Sequence, residues 1–90
     1  MNIIESIEVE DVSATTLQVF HRRLRIPISV YLEQMAHYPD PWNERAYQSF
    51  VQKYLEEIND PGIVGMVRQA KDEKYVYLDA ALRYPKNHNL

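Results

Sequence analysis

The sequence contains no cysteine, and this absence excludes several kinds of chemistry at once. Without a thiol, the chain can form no disulfide, no cysteine nucleophile and no cysteine-based zinc or iron–sulfur site. A chain without cysteine fits a reducing compartment most simply, so we expect a cytoplasmic protein.

Long apolar runs and glycine-rich stretches are also missing. No apolar segment approaches the roughly 18 residues that a membrane-spanning helix needs. The first residues carry Glu5, Glu8 and Glu10 where a secretory signal would carry basic residues. We therefore expect no membrane partner.

With only two glycines, the chain also has no glycine-rich loop that could hold a phosphate group.

The composition that remains is that of one small folded domain. The chain has 90 residues, of which 46% are hydrophobic and 26% are charged, enough for one core and too few for two. We expect a single domain over residues 1–90, with an acidic segment at 1–12 and a frayed tail at 86–90. A core of this size stabilises a monomer only modestly, which favours a homodimer or docking onto another protein.

Charge is distributed unevenly along the chain. The formal net charge is −3, so the protein as a whole does not attract nucleic acid. Residues 1–12 contain acidic side chains and no basic one, whereas His21, Arg22, Arg23 and Arg25 lie close together. The second group could form a local basic edge.

The most regular apolar spacing lies in residues 42–58, which we predict to be a helix. Asp40 can accept a hydrogen bond from the amides of a first turn, and Pro41 suits the first helical position. Apolar side chains then recur at three- and four-residue spacing. They are Tyr47, Phe50, Val51, Tyr54, Leu55 and Ile58.

Two shorter segments also have helical spacing. Residues 28–37 follow Pro27 and place apolar side chains on one side. Residues 61–71 follow Asn59-Asp60-Pro61, which would end one helix and cap the next, although Gly62 and Gly65 weaken a helix by about 1 kcal/mol each.

Residues 75–84 are apolar nearly all round, which favours a buried helix. The alternation of Tyr75 and Tyr77 with Val76 and Leu78 would instead make a short strand, and this alternative stays open.

The segment 17–26 is the ambiguous one. The spacing of its apolar residues suits a helix, whereas the alternation of Leu24 and Ile26 with Arg23 and Arg25 suits a strand. A strand would project His21, Arg23 and Arg25 to one face and would turn Arg22 toward the apolar side. The fold class we expect is mainly α, a compact bundle of four to five short helices, with a single N-terminal strand at 17–26 as the open alternative.

No catalytic or metal site is predicted. The histidines and carboxylates form no recognisable set of nucleophile, base and orienting group. Glu33 and His37 lie four residues apart and could share a metal, but no further ligand is identified, and a solvated surface pair is the favoured interpretation. We expect neither an enzyme nor a cofactor.

The order of elements resembles the ribbon-helix-helix regulators over residues 17–58. The resemblance rests on a basic alternating segment ending in Arg25-Ile26-Pro27, then a short helix, a turn and the helix at 42–58. It implies a dimer whose paired strands enter the major groove of DNA. It further implies that His21, Arg23 and Arg25 read bases and that Asn43 lies near phosphate.

A second resemblance carries no function. The stretch Tyr38-Pro39-Asp40-Pro41-Trp42, with the later Val76-Tyr77-Leu78-Asp79, is similar to small uncharacterised cyanobacterial proteins.

Two functions follow as hypotheses. The first is a non-catalytic protein-binding domain, an adaptor, inhibitor or assembly factor, which grips its partner through Trp42, Tyr75, Tyr77 and Tyr84. The second is a dimeric DNA-binding regulator or antitoxin that uses His21, Arg23 and Arg25. We rank the first slightly ahead, because DNA binding would have to overcome the net negative charge.

Overall fold

A computed structural model describes residues 6–14 and 19–84 of the chain. Within these ranges there are four strands and two helices. In chain order they are β1 (Glu8–Ala14), β2 (Val19–Pro27), α1 (Ile28–Gln34), α2 (Glu44–Glu57), β3 (Ile63–Lys71) and β4 (Tyr75–Arg83). The strands form one antiparallel sheet in the order β1-β2-β4-β3. The expected mainly helical bundle is therefore wrong, and the fold combines a sheet with helices.

Both helices pack on the same face of this sheet. Alternate residues of the central strands face the helices and are almost fully buried. Successive side chains of a strand point to opposite faces, so the residues between them lie on the other side of the sheet. The buried strand residues are Leu24, Ile26, Val67, Val76, Leu78, Ala80 and Leu82, and they meet Val30, Tyr31, Ala46, Phe50, Val51 and Leu55 of the helices in one core.

The segment 75–84 was expected to be a buried helix, but its residues 75–83 form strand β4. Burial alternates residue by residue from Tyr75 to Leu82, as a strand packed on one face requires. The alternative strand interpretation of this segment was the right one. Pairing with β2 on one edge and β3 on the other outweighs the local helix preference of its alanines and leucines.

The predicted helix at residues 61–71 is also wrong, because residues 63–71 of this segment form β3. The pairing with β4 shifts between Val64 and Val67, and Gly65 and Met66 together lie opposite Ala81. This β-bulge lets Val64 and Val67 face the helices together although they are three residues apart. Their spacing imitates that of a helix.

The described part of the ambiguous segment, residues 19–26, is a strand that belongs to β2, and its partner β1 begins in the acidic segment. Glu8 pairs with Arg25, and Glu10 pairs with Arg23. The uneven charge of the two segments thus reflects opposite charges on neighbouring strands, which favour cross-strand pairing. Strand β1 was not among the predicted elements.

The two helices confirm the predictions over 28–37 and 42–58, with shorter bounds. The N-cap of α2 is Asn43 and not Asp40: its Oδ1 accepts from the amide of Ala46 at 2.9 Å. Asp40 accepts from the amide of Trp42 at 2.9 Å, which shapes the preceding turn. The predicted frayed tail at 86–90 lies outside the described residues. Among those that are described, no helix is both long and apolar enough to cross a membrane.

Candidate functional site: the open face of the sheet

The face of the sheet opposite the helices has no covering layer within residues 6–14 and 19–84, and we call it the open face. A solvated face is ordinary in an antiparallel sheet, so its composition is the informative property. None of the side chains described on it is buried. They are Glu8 and Glu10 of β1, His21, Arg23 and Arg25 of β2, Tyr75, Tyr77, Asp79, Ala81 and Arg83 of β4, and Ile63, Met66, Arg68 and Ala70 of β3.

A row of alternating charges crosses the open face at right angles to the strands. It consists of Glu10, Arg23, Asp79 and Arg68, each paired in register with the next, and we call it the charged row. Arg23 lies 3.8 Å from Glu10 and 3.6 Å from Asp79. These ion pairs are long and partly exposed. Arg68 forms no ion pair with another described residue.

A second row lies beside the first and contains an aromatic side chain. It consists of Glu8, Arg25, Tyr77 and Ala70, and we call it the tyrosine row. Arg25 donates a hydrogen bond to Glu8, which raises the pKa of the arginine. The guanidinium of Arg25 also lies 4.4 Å from the ring centroid of Tyr75, a cation–π distance.

The hydroxyl of Tyr77 is held at the end of the sheet by Asp72. It donates to Oδ2 of Asp72 at 2.8 Å, and this hydrogen bond raises the pKa of Tyr77. The backbone amides of Lys74 and Tyr75 donate to the same carboxylate, and together with the Tyr77 hydroxyl they hold the pKa of Asp72 below its usual range. The tyrosine is therefore neutral and positioned at physiological pH.

Two shallow hollows lie on either side of the charged row. They have volumes of about 300 and 350 Å³ and share Arg68 and Asp79. The first is lined by Arg23, Arg68, Gln69, Ala70, Tyr77 and Asp79, and the second by His21, Met66, Arg68, Asp79 and Ala81. Small-molecule sites bury most of their ligand in a concave pocket. Shallow neighbouring hollows suit a broad contact surface better.

The structure brings together two of the four aromatic residues predicted to bind a protein. Tyr75 and Tyr77 lie on the open face with ring centroids 6.3 Å apart. Trp42 lies on the helix side, where its ring packs against Tyr31 at 5.1 Å and beneath the ammonium of Lys71 at 3.9 Å. Trp42 therefore does not belong to the same surface.

Tyr84 makes structural contacts on the helix side of the sheet. Its ring meets Phe20 edge-on at 5.5 Å, and its hydroxyl donates to Oδ2 of Asp60 at 3.2 Å. Burial, followed by the hydrogen bond to Asp60, raises the pKa of Tyr84. The same carboxylate forms an ion pair with Arg22. The side chain of Arg22 points toward the apolar side of β2, as the strand interpretation predicted.

The residues proposed to contact DNA are divided between two surfaces. His21, Arg23 and Arg25 share the open face, whereas Asn43 caps α2 in the helix layer and also donates to the carbonyl of Asp40. Strand β2 pairs with β1 on one edge and with β4 on the other. Neither edge is free for the strand of a second copy, which an intertwined ribbon would require.

Among the residues of the open face that were not predicted to be functional are Met66, Arg68, Asp79 and Glu10. Because residues 61–71 were predicted to be a helix, Met66 and Arg68 would have been ordinary surface residues. A strand with a bulge at Gly65 would have placed both beside Asp79. Gly65 was the available signal, because a glycine within a strand often marks a bulge.

Metal ligands do not cluster in the part of the chain that the structure describes. There, no group of three or more His, Asp or Glu side chains is arranged to hold a metal ion. Glu33 and His37 are exposed at the end of α1, where the imidazole of His37 packs on Tyr38 with ring centroids 4.9 Å apart.

Comparison with known proteins adds no family. The sequence matches no protein-family model and no curated protein, and the fold matches no solved structure. The resemblances to ribbon-helix-helix regulators and to small cyanobacterial proteins therefore stay predictions. Function has to be inferred from the residues of the open face.

Proposed function

We propose that the chain is a non-catalytic protein-binding domain and that the open face of the sheet is its recognition surface. The supporting observation is the composition of this uncovered face, which combines tyrosine, arginine and methionine. These three residue types are enriched in protein–protein interfaces, and tyrosine and arginine are frequent hot spots. Met66, which is 61% exposed, and Ile63, which is 50% exposed, add apolar contact area on β3.

The charge balance of the open face favours a protein partner over nucleic acid. Its four arginines are accompanied by the carboxylates of Glu8, Glu10 and Asp79. Nucleic acid is bound through an excess of positive charge that replaces the counterions of the phosphates. Here Arg23 and Arg25 are already paired with carboxylates, which would repel a phosphate backbone. A protein surface of mixed charge is the better complement.

A nucleic-acid-binding regulator is the second candidate. One observation favours it: His21, Arg23 and Arg25 point to the same face of β2, next to Tyr75 and Tyr77. Aromatic side chains on an open sheet can stack with unpaired bases, and arginines can contact phosphates. This candidate requires that the phosphates displace Glu8 and Glu10 from the arginines.

Site-directed photocrosslinking tests the proposed surface. A photoreactive benzoylphenylalanine replaces Ala70 on the open face, and Lys53, exposed on α2, is the matched control position. In an extract of the producing cells, we expect a protein adduct of defined mass at position 70. Excess unlabelled protein should suppress this adduct, while position 53 should give none. Equal adducts at both positions would contradict the proposal.

The nature of the adduct distinguishes the two candidates. A protein-binding surface gives an adduct that resists nuclease and is formed with a protein, including a second copy of the chain. A nucleic-acid-binding surface gives an adduct that nuclease shortens. It also gives anisotropy changes with single- or double-stranded oligonucleotides that weaken steeply as salt is raised. Those two results together would replace the first candidate with the second.

A further inference from the structure

We infer that the open face binds the open face of a second copy of this chain, with a two-fold axis parallel to the strands. This inference rests on the proposed function, because it names the partner of the same surface. Two antiparallel sheets would then pack face to face, with the helices on the outside of the dimer. The strands of packed sheets lie within about 30° of one another.

The charged row is complementary to itself under this symmetry. Its order across the sheet is Glu10, Arg23, Asp79, Arg68, which alternates between negative and positive. A two-fold axis parallel to the strands reverses this order and leaves the height along the strand unchanged. Glu10 then faces Arg68 of the second copy, and Arg23 faces Asp79 of the second copy. Every charge of the row meets an opposite charge.

The tyrosine row is also complementary to itself. Its order is Glu8, Arg25, Tyr77, Ala70, so reversal places Arg25 over Tyr77 of the second copy. Arginine stacks well on the face of an aromatic ring. Glu8 meets the small side chain of Ala70, which leaves room for its carboxylate to remain bound to Arg25.

The other two-fold arrangement of stacked sheets is repulsive. An axis in the plane of the interface but perpendicular to the strands places each strand over its own copy. Glu10 would then lie near Glu10 of the second copy, and Arg23 near Arg23. Like charges brought together in an interface are strongly unfavourable. The charge pattern therefore selects the axis as well as the partner.

The area of the open face is sufficient for a weak dimer. Four strands about 4.8 Å apart, one of seven residues and three of nine, at roughly 3.3 Å per residue, give a face of about 540 Å². Two such faces bury about 1,000 Å² together, which is the lower limit of a specific interface. We expect dissociation in the micromolar range or above, and not an obligate dimer.

Glu10 and Arg68 form the diagnostic pair, because they cannot meet within one chain. They lie on the two outer strands, separated by about 14 Å, which is three strand spacings. Arg68 has no ion pair among the described residues, and the side chain of Glu10 is 68% exposed. Both are available to a second copy.

Charge reversal tests the pairing, with the mass in solution measured by sedimentation equilibrium over a range of concentrations. Arg68→Glu places a carboxylate near Glu10 of the second copy, and Glu10→Arg brings a second guanidinium near Arg68. Each variant alone should dissociate at least tenfold more readily than the unaltered chain. An equimolar mixture of the two variants should recover the dimer. Each variant homodimer brings like charges together at both ends of the row, whereas the heterodimer pairs opposite charges at both ends.

Matched controls separate this effect from misfolding and from nonspecific charge effects. Lys53→Glu and Glu57→Arg make the same kinds of charge change on the exposed side of α2 and should leave the dissociation constant unchanged. Recovery in the mixture cannot arise from refolding, since neither variant chain has changed. A chain that stays monomeric at high concentration, variants that dimerise normally, or a mixture that stays monomeric would each overturn the inference. A monomer whose position 70 still crosslinks to a different protein would leave the proposed function intact.

Discussion

The guanidinium of Arg22 lies 3.1 Å from Oδ2 of Asp60, so the arginine of β2 that points toward the helices is neutralised by a residue just after α2. Both side chains are mostly buried, with 18% and 16% of their surface exposed. Asp60 also accepts from the amide of Gly62 at 2.8 Å and from the hydroxyl of Tyr84 at 3.2 Å. The carboxylate of Asp60 thus links the loop before β3 to Arg22 of β2 and to Tyr84, which directly follows β4.

Removing the charge of Asp60 should destabilise the fold. In Asp60→Asn, the mostly buried guanidinium of Arg22 loses its ion pair with this carboxylate, which should lower the free energy of unfolding by about 2 kcal/mol. Urea unfolding at neutral pH measures this loss. Glu57→Gln removes an equivalent charge from the exposed surface of α2 and should change stability by less than about 0.5 kcal/mol. Equal losses in the two variants would contradict a stabilising role for Asp60.

The same carboxylate should make stability depend on acid pH. Burial alone would raise the pKa of Asp60, but the donors Gly62, Arg22 and Tyr84 outweigh it and hold the pKa below its usual value. The unfolded chain has a pKa of about 3.9 at this group. The stabilisation is therefore present above about pH 4 and is lost as the pH falls through the lower folded pKa. The unaltered chain should lose stability below pH 4 more steeply than Asp60→Asn, in urea unfolding repeated over that range.

The two glycines should respond differently to alanine. A Cβ at Gly62 would lie 3.1 Å from Oδ1 of Asp60 and 3.1 Å from the ring of Tyr84, two groups that hold each other in place. A Cβ at Gly65 would come no closer than 3.5 Å to the carbonyl of Ala81. We expect Gly62→Ala to cost about 1 kcal/mol and Gly65→Ala to cost less than half as much. Thermal unfolding of both variants checks the order, and a larger loss for Gly65→Ala would contradict it.

The elements that sequence analysis predicted are those whose signals are local. Helix α2 has a regular apolar stripe, and α1 starts directly after Pro27. Neither helix therefore requires knowledge of distant residues to be predicted. Strand β2 was left open because the alternation of Leu24 and Ile26 with Arg23 and Arg25 competes with a helical spacing of apolar residues, and its pairing with β1 and β4 is not visible in its own residues. The cross-strand pairing of Glu8 with Arg25 becomes a signal only when the register is known.

The errors at β3 and β4 have specific physical causes. The bulge at Gly65 gives Val64 and Val67 a helix-like spacing on one face of a strand. In β4, the open face carries Tyr75, Tyr77 and Ala81, which are not charged, so the usual alternation of apolar and polar residues is weak. The tyrosines that make this face a candidate binding surface thus also weaken the alternation that would have predicted a strand.

The candidate site was predicted in parts that belonged to two separate hypotheses. Tyr75 and Tyr77 were proposed for protein binding, and His21, Arg23 and Arg25 for DNA binding. The pairing of β2 with β4 places all five on one surface. No single-sequence pattern reports that register, because it depends on contacts between segments that are far apart in the chain.

The contact between Lys71 and Trp42 should be visible in fluorescence. The ammonium lies 3.9 Å from the ring centroid of Trp42, and Trp42 is the sole tryptophan, so its emission can be assigned without ambiguity. Lys71→Gln removes the cation and exposes the indole to water, which should shift the emission to longer wavelength and cost about 0.5–1 kcal/mol. Lys74→Gln, at an exposed lysine in the β3–β4 turn, is the control and should leave both emission and stability unchanged. An unchanged spectrum in Lys71→Gln would show that the lysine does not cover the ring in solution.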